Sequence, residues 1–283
     1  MKLRGKIEFG VTTLLEFSGP DTVRFLNGQL TQDVRKVVGS GTCIPSCITD
    51  AKGKLQFRVW LCEAAEGAIW ISALGDIAGD LEARLTRYLI ADDVEVRNRS
   101  AEFSLIHLLE IEPGRVKERV VRKCERFGVS GIDCWVPTSA AGQYFAQIES
   151  VQDDLLEDFR ISKGVPAWGK ELQAGMLPPE AALEPTDISY VKGCYIGHEV
   201  ICRIKSAGKV NRSLSRFSVP QDLPLADEYP IYNGDRVVGE LTSVSPLIHD
   251  GSRFGLGYLK RVADAGELSL RGDDDVSRPV SLL

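Results

Sequence analysis

The sequence lacks any long apolar run. In its 283 residues, no hydrophobic stretch approaches the ~18 residues that a membrane-spanning helix needs. The amino-terminal segment "MKLRGKIEFGVTTLLEF" has basic side chains but no apolar run before a small-residue cleavage site, so we expect no secretory signal. Together these absences predict a cytoplasmic protein that has no membrane partner.

Histidine and excess positive charge are also scarce. The three histidines are His107, His198 and His249, which is a small supply for a metal enzyme. The net charge is −6, and such an acidic balance argues against direct binding of nucleic acid. Neither a dinucleotide-binding glycine motif after a strand nor a phosphate-binding P-loop is present. We therefore expect protein and small-molecule partners.

The cysteines do not form a disulfide framework, because their number is odd and the chain is not small. They are Cys43, Cys47, Cys62, Cys124, Cys134, Cys194 and Cys202. Cys43 and Cys47 do not have the two-residue spacing of a zinc knuckle, and on a strand they would share one face. We expect most of the seven to be small buried hydrophobic side chains.

The length suggests two domains, at about 100–200 residues per domain. Hydrophobic periodicity predicts helices over 18–34, 76–90 and 151–163, and strands over 54–62, 66–73, 92–97, 103–111 and 142–149. We expect strand 54–62 to be buried on one face only. Helices mixed with antiparallel hairpins are typical of an α+β fold.

The composition and the hydrophobic pattern of the chain change after its middle. Residues 164–190 contain four prolines and three glycines, which predicts an irregular segment. From about residue 212, short strands alternate with Gly, Pro and Asp turns, a pattern that is typical of a small β-barrel. We therefore predict an α+β domain over 1–208 and a barrel domain over 209–283.

The stretch "VKGCYIGHEVICR" at 191–203 places a thiol between two glycines. Cys194 becomes a better nucleophile or metal ligand as a thiolate, and the nearby Lys192 would favour that form. Gly193 and Gly197 allow the backbone to turn sharply or to approach a ligand closely. The alternative is that Cys194 is a packed thiol in a tight turn.

Two polar residues follow the thiol. His198 would act as a base or a ligand, and Glu199 would orient His198 or a substrate amine. The candidate reactive residues are therefore Cys194, Lys192, His198 and Glu199.

Other candidate binding residues lie outside this stretch. In "DAKGK" at 50–54, Asp50 and Lys52 belong either to a hairpin turn, which the composition favours, or to a binding site at the mouth of a strand. Trp168 would either stack on a planar heterocycle or fill part of a core. We expect His107 to be a satisfied core histidine and His249 a turn residue.

Two segments together carry a family resemblance. "FRISKGVPAWGKEL" and "ISYVKGCYIGHEVICRIKSAGKVNRSL" resemble the folate-binding YgfZ family of iron–sulfur-cluster proteins, which carries Lys-Gly-Cys-Tyr-x-Gly-Gln-Glu. The matching residues are Lys192, Gly193, Cys194, Tyr195, Gly197 and Glu199. His198 stands where the family has Gln. The order of the matching blocks agrees from about residue 10 to 260, and the aminomethyltransferase (T-protein) of the glycine cleavage system is similar in the shared blocks.

The resemblance implies a tetrahydrofolate-binding α+β domain of two ferredoxin-like units, followed by a carboxy-terminal β-barrel. It also implies a monomeric accessory protein for assembly or repair of iron–sulfur clusters in client enzymes, notably radical enzymes that modify tRNA. Cys194 would be the working thiol, as a transient cluster ligand or redox group, with no permanent metal site. Tyr195 and Glu199 would hold the loop.

For folate, the implied contact residues are Tyr195, Gly193, Gly197, Trp168, Ser162, Asp50 and Lys52. Folate-binding relatives commonly carry an acid where Ser162 stands, and that acid can pair with N–H donors of the pterin ring. Ser162 offers one hydroxyl instead, so pterin affinity would be lower or the pocket would take another ligand.

Two other functions remain open. One is a folate-dependent one-carbon transferase like the T-protein, which carries an acidic pair where this chain has Gln56 and Phe57. Without an acid near the reacting amine, aminomethyl transfer is disfavoured, and we do not expect a conventional enzyme. The other is a non-catalytic folate-sensing module, in which Cys194 would have no role.

Overall fold

The computed structural model describes residues 3–112, 120–208, 210–223, 229–261, 267–271 and 276–283. The strands of the first part are β1 (Gly5–Glu8), β2 (Thr12–Ser18), β3 (Thr42–Thr49), β4 (Leu55–Glu63), β5 (Ile69–Leu74), β6 (Glu95–Asn98), β7 (Phe103–Leu109), β8 (Val120–Cys124) and β9 (Gly131–Pro137). The α-helices are α1 (Thr22–Gln29), α2 (Ala78–Thr86), α3 (Asp153–Ser162), α4 (Glu184–Asp187) and α5 (His198–Ala207).

These nine strands form one sheet with the order β1-β7-β9-β8-β3-β4-β5-β2-β6. Neighbouring strands pair antiparallel, except for β3 and β8, which run parallel. This parallel pair joins a half built from β2 to β6 with a half built from β1, β7, β8 and β9. The arrangement confirms the predicted α+β class.

Strand β4 shows why the sheet is well covered. Val59 and Leu61 pack with α1 and α2 side chains in one core cluster, as the alternating pattern predicts. Trp60 and Cys62, which point the other way, are buried in a second cluster with Trp70 and Trp135. The prediction of a strand buried on one face only was therefore wrong, because aromatic side chains cover the second face.

Two predicted elements differ from the structure. The helix predicted over 18–34 is limited to α1, since Leu30 adopts an extended backbone and bridges to Ile48. The strand predicted over 142–149 is absent: a 3-10 helix covers Thr138–Gln143, and Phe145 has a positive φ of 59°. That backbone conformation does not fit an extended strand.

The carboxy-terminal strands are β10 (Arg212–Pro220), β11 (Tyr229–Asn233), β12 (Arg236–Val244), β13 (Ser252–Lys260), β14 (Leu268–Arg271) and β15 (Ser277–Leu282). They close into a barrel with the order β10-β13-β12-β11-β14-β15. Its interior is filled by Phe217, Ile231, Leu241 and Leu270. The predicted barrel is thereby confirmed.

The chain divides into two compact units. One contains the sheet and comprises the residues up to Val151 together with Glu184–Cys202. The other contains the barrel and comprises Gln152–Leu183 together with Arg203–Leu283. The predicted boundary after residue 208 lies near the start of β10, but α3 and residues 164–183 of the irregular segment group with the barrel. No helix in the described ranges is long and apolar enough to cross a bilayer.

Candidate functional site

The cysteine segment, residues 191–197, is an irregular stretch of the sheet-containing unit that leads into α5. Its backbone is tied to that unit at Ile196. The Ile196 N–H donates to the carbonyl of Gly28 at 3.2 Å, and the Ile196 carbonyl accepts from Thr49 Oγ1 at 2.6 Å. The segment is therefore held between α1 and the end of β3.

Lys192 anchors the other side of the segment. Its buried ammonium donates to the carbonyls of Asn27 at 2.8 Å, Leu30 at 2.6 Å and Gln32 at 2.9 Å. Two of these carbonyls lie at the carboxy-terminal end of α1, where cations stabilise the helix. Burial lowers the pKa of Lys192 to about 7, and Asp33 opposes the shift. Since three carbonyls use its three donors, none remains for Cys194.

Gly197 is required by a close approach of backbone to backbone. It has a positive φ of 87°, and a Cβ added there would lie 2.5 Å from the carbonyl oxygen of Asp50 and 2.8 Å from Thr49 Oγ1. At Gly53 in the same turn, a Cβ would lie 3.3 Å from side-chain atoms of Val200 and Ile201. The structure thus packs the 50–54 turn against the start of α5, and joins two motifs that are far apart in sequence.

Asp50 shapes that turn. Its Oδ1 accepts from the backbone N–H of Lys52 at 2.9 Å and of Lys54 at 2.8 Å, as aspartate does in tight turns. Lys52 is exposed. The geometry agrees with the hairpin-turn interpretation of this stretch, and the binding roles of Asp50 and Lys52 stay predictions.

Cys194 is exposed at the surface, as are its neighbour Gly193 and the later Glu199. A thiol at the surface of an anchored segment can meet a partner molecule, whereas a buried thiol is shielded from one. The alternative of a packed thiol does not fit this exposure.

His198 contacts a different thiol from the one predicted. Its Nε2 lies 3.1 Å from Sγ of Cys202, one helical turn later in α5, where residues four apart are neighbours. Burial, and then the nearby Cys194, raise the pKa of Cys202. No role was predicted for Cys202, although the His-x3-Cys spacing was a signal for one.

Tyr195 is the aromatic residue of the cysteine segment. It is buried, its ring centroid lies 4.8 Å from that of His198, and the ammonium of Lys192 lies 5.1 Å from its ring centroid. Burial and the nearby Cys202 raise the pKa of Tyr195. Its hydroxyl has no hydrogen-bond partner in the described ranges. Tyr195 therefore packs against both Lys192 and His198, and its role in holding the loop stays a prediction.

Ser162 and Trp168 belong to the barrel-containing unit. The Ser162 hydroxyl donates to the carbonyl of Phe159 at 2.8 Å, within the last turn of α3. Trp168 has half of its surface exposed, in a loop that Glu171 orders by accepting from the Ala167 N–H at 2.9 Å. Buried Glu171 is in turn paired with Arg160 at 2.8 Å. Trp168 is thus available for stacking, while Ser162 already has a backbone partner.

Gln56 faces a cation. Its Oε1 accepts from Nε of Arg84, and the other guanidinium nitrogens of Arg84 donate to Gln29 at 3.1 Å and to the Thr49 carbonyl at 2.8 Å. Phe57 packs against the sheet core. Where the T-protein has acids, this chain therefore presents an amide that is held by a positive charge.

The remaining sequence expectations concern buried residues. Cys43, Cys47, Cys62, Cys124 and Cys134 are all buried, which confirms their core placement. His107 is buried and its Nδ1 lies 2.7 Å from Oδ1 of Asp133, as expected for a satisfied core histidine. His249 lies in a turn and contacts Asp158 through Nε2 at 2.8 Å.

Comparison with known proteins agrees with the fold. No family model matches the chain. The tRNA-modifying protein YgfZ of Serratia proteamaculans is 26% identical over 95% of this chain and 88% of its own length. A chloroplastic protein of Arabidopsis thaliana that is named as a transferase, At1g60990, is 32% identical over 94% of this chain and 68% of its own length.

Aminomethyltransferases share the architecture. One from Listeria monocytogenes is 23% identical over 85% of this chain and 74% of its own length. The crystal structure of aminomethyltransferase T of the glycine cleavage system from Bartonella henselae superposes with a TM-score of 0.82, at 15% identity, over 99% of this chain and 85% of that chain. The chain therefore belongs to the family of YgfZ-type proteins, which is related in fold to the aminomethyltransferases.

Proposed function

We propose that the protein binds tetrahydrofolate and supports the assembly or repair of iron–sulfur clusters in client enzymes, and through them tRNA modification. Its similarity to a protein named as tRNA-modifying supports the role in tRNA modification. The fold shared with folate-using aminomethyltransferases supports the binding of tetrahydrofolate. The client enzymes are protein partners, and the net charge of −6 favours an indirect effect on tRNA.

The observation that carries this proposal is the exposed thiol of Cys194 on an anchored segment. Lys192 and Ile196 fix the backbone on both sides of it, so little ordering entropy is lost when the thiol meets a partner. Iron–sulfur clusters are usually held by four thiolates, and one exposed thiol cannot hold a cluster alone. The cluster therefore stays with the client, and Cys194 supplies one ligand or one redox-active thiol during its repair.

The folate part of the proposal is supported by one exposed ring. Trp168, in a loop ordered by Glu171, can stack on the planar pterin. The Ser162 oxygen can accept from a pterin N–H while its hydroxyl donates to Phe159, but a neutral hydroxyl is a weaker acceptor than a carboxylate. We infer that the pterin is held by stacking more than by pairing at position 162.

Aminomethyl transfer is disfavoured on electrostatic grounds. A reaction that develops positive charge on an amine is helped by a nearby carboxylate, but here Arg84 holds the Gln56 amide. A guanidinium at this position repels a cationic intermediate. Formation of methylenetetrahydrofolate by the purified protein from an aminomethyl donor would contradict this inference.

The proposal is tested in a strain that lacks this gene. Methylthio-modified tRNA nucleosides, which iron–sulfur radical enzymes make, are quantified by mass spectrometry after complementation. Wild type and Val191→Ala should restore the modification, whereas Cys194→Ser should not. Val191 is the matched control, because it lies in the same segment and is 90% exposed.

Each other outcome has a definite meaning. If the modification does not fall in the deletion strain, the proposed role in cluster maintenance is wrong. If Cys194→Ser restores it as well as wild type does, the thiol has no working role, and the non-catalytic folate-sensing alternative gains support.

A further inference from the structure

Three buried thiols lie side by side on adjacent strands of the sheet. Cys43 on β3 is directly opposite Cys62 on β4 and Cys124 on β8, so its side chain points to the same face as both. Each of the three is at most 3% exposed. We name Cys62, Cys43 and Cys124 the thiol row.

The buried carboxylate of Asp133 adds a third candidate ligand beside the thiol row. One oxygen of Asp133 and the Sγ atoms of Cys43 and Cys124 all lie within 4.8 Å of one another. Sulfur ligands bound tetrahedrally to a zinc ion at ~2.3 Å are about 3.8 Å apart. Small side-chain rotations therefore suffice to bring the three atoms to one ion.

The charges around the thiol row favour a divalent cation. Arg126 pairs with Asp133 at 2.7 Å, and these two opposite charges cancel. Two thiolates at Cys43 and Cys124 would leave a charge of −2 in the core, which a divalent ion neutralises.

The carboxylate is also held in place. His107 Nδ1 contacts Oδ1 of Asp133 at 2.7 Å, and Arg126 Nε donates to both of its oxygens, at 2.8 and 2.9 Å. Partners that orient a ligand in this way are a regular part of metal sites. Arg126 is further packed against the ring of Trp60, at 4.5 Å from the centroid.

We propose that Cys43, Cys124 and Asp133 form a buried site for a thiophilic divalent metal ion of the zinc class, with Cys62 as an adjacent soft donor. On binding, Cys43 and Cys124 each release one proton, and the two sulfur–metal bonds replace their S–H bonds. Since the site is closed to solvent, the ion enters while the chain folds. This site is independent of the function proposed for Cys194.

The test is refolding of the full chain with Zn²⁺ or with Co²⁺ as a spectroscopic probe. After gel filtration, we expect about one ion per chain, together with a thiolate-to-cobalt charge-transfer band. Cys43→Ala should lose both signals. Cys134→Ala is the matched control, because Cys134 is a buried thiol in a different core cluster. Cys194→Ser should also keep the signals.

Three results would overturn the site. The first is wild-type protein that refolds but retains neither ion. The second is Cys43→Ala protein that retains as much ion as wild type. The third is loss of the cobalt band in Cys194→Ser, which would place the ion at the surface thiol. If Cys43→Ala does not fold, wild type alone decides: its melting temperature should rise on refolding with Zn²⁺ and fall again after refolding with a chelator.

Discussion

At the scale of single residues, Lys192 links the cysteine segment to the end of α1. Its position two residues before Cys194 favoured a role in stabilising the thiolate. The structure gives its ammonium three carbonyl partners instead, on residues about 160 positions earlier in the chain. A cation used in this way fixes the position of the thiol segment.

Replacing Lys192 should therefore cost stability. Lys192→Met leaves three carbonyls without their donor, and we expect a loss of about 2–4 kcal/mol in the free energy of unfolding. Lys52→Met is the control, since Lys52 is an exposed lysine and should change stability by less than about 0.5 kcal/mol. Urea denaturation of both variants measures the difference, and equal stabilities would show that the carbonyl contacts contribute little.

The sequence predicted which residues are special more readily than their contacts. The cysteine between two glycines and the Asp50 turn were both visible as local patterns. The carbonyl partners of Lys192 were not, because contacts across more than 100 residues leave no local periodicity. The His198–Cys202 contact was readable in principle, since a helix starting at His198 places residues four apart together.

At the scale of elements, the 50–54 turn packs directly against the start of α5. Gly197 sits at their contact because no side chain fits between its backbone and the carbonyl of Asp50. Gly197 is one of the residues that match the family motif, and the structure supplies a steric reason for a glycine at this position. The same contact brings together the 50–54 turn and the cysteine segment, which are far apart in sequence.

The close approach can be separated from the backbone conformation by two matched variants. Gly197 and Gly175 have nearly the same φ, 87° and 89°, but a Cβ at Gly175 would meet nothing within 4 Å. Positive φ alone costs about 1–3 kcal/mol in a non-glycine residue. Gly197→Ala should therefore be less stable than Gly175→Ala, by at least about 1 kcal/mol. Equal losses in urea denaturation would rule out a steric role for the turn contact.

Elements were predicted best where one periodicity dominated. The helix over 151–163 and the strand over 54–62 appear as α3 and β4, close to their predicted bounds. Helix α5 was not predicted from periodicity. The strand predicted over 142–149 failed because its apolar residues serve a packed turn that includes Phe145.

At the scale of the whole molecule, buried ion pairs make stability depend on acidity. Glu157 is partly buried, which raises the pKa of its carboxyl, but its contacts with Arg160 outweigh this and lower the pKa to about 2. A carboxyl with a lowered pKa stabilises the folded state above its ordinary pKa of 4.5. That contribution is lost as the pH falls from about 4.5 to 2.

Glu157→Gln should flatten this dependence. Near pH 7 the variant should be less stable than wild type by up to about 3 kcal/mol, and the gap should narrow as the pH approaches 2. Glu95→Gln is the control, since Glu95 pairs with Arg97 on the exposed surface and should differ by less than about 1 kcal/mol. Urea midpoints measured between pH 2 and 7 give the comparison, and a gap that stays constant across this range would disprove the linkage.

The joint between β3 and β8 has a further consequence, for the order in which the sheet assembles. In the described residues its register pairs Thr42 with Lys123 and Cys43 with Cys124, about 80 positions apart, whereas the hairpins on either side are local. Pairing over so long a loop is entropically slow. The local hairpins β3–β4 and β8–β9 should thus gain amide-exchange protection before the β3–β8 pairing that joins them.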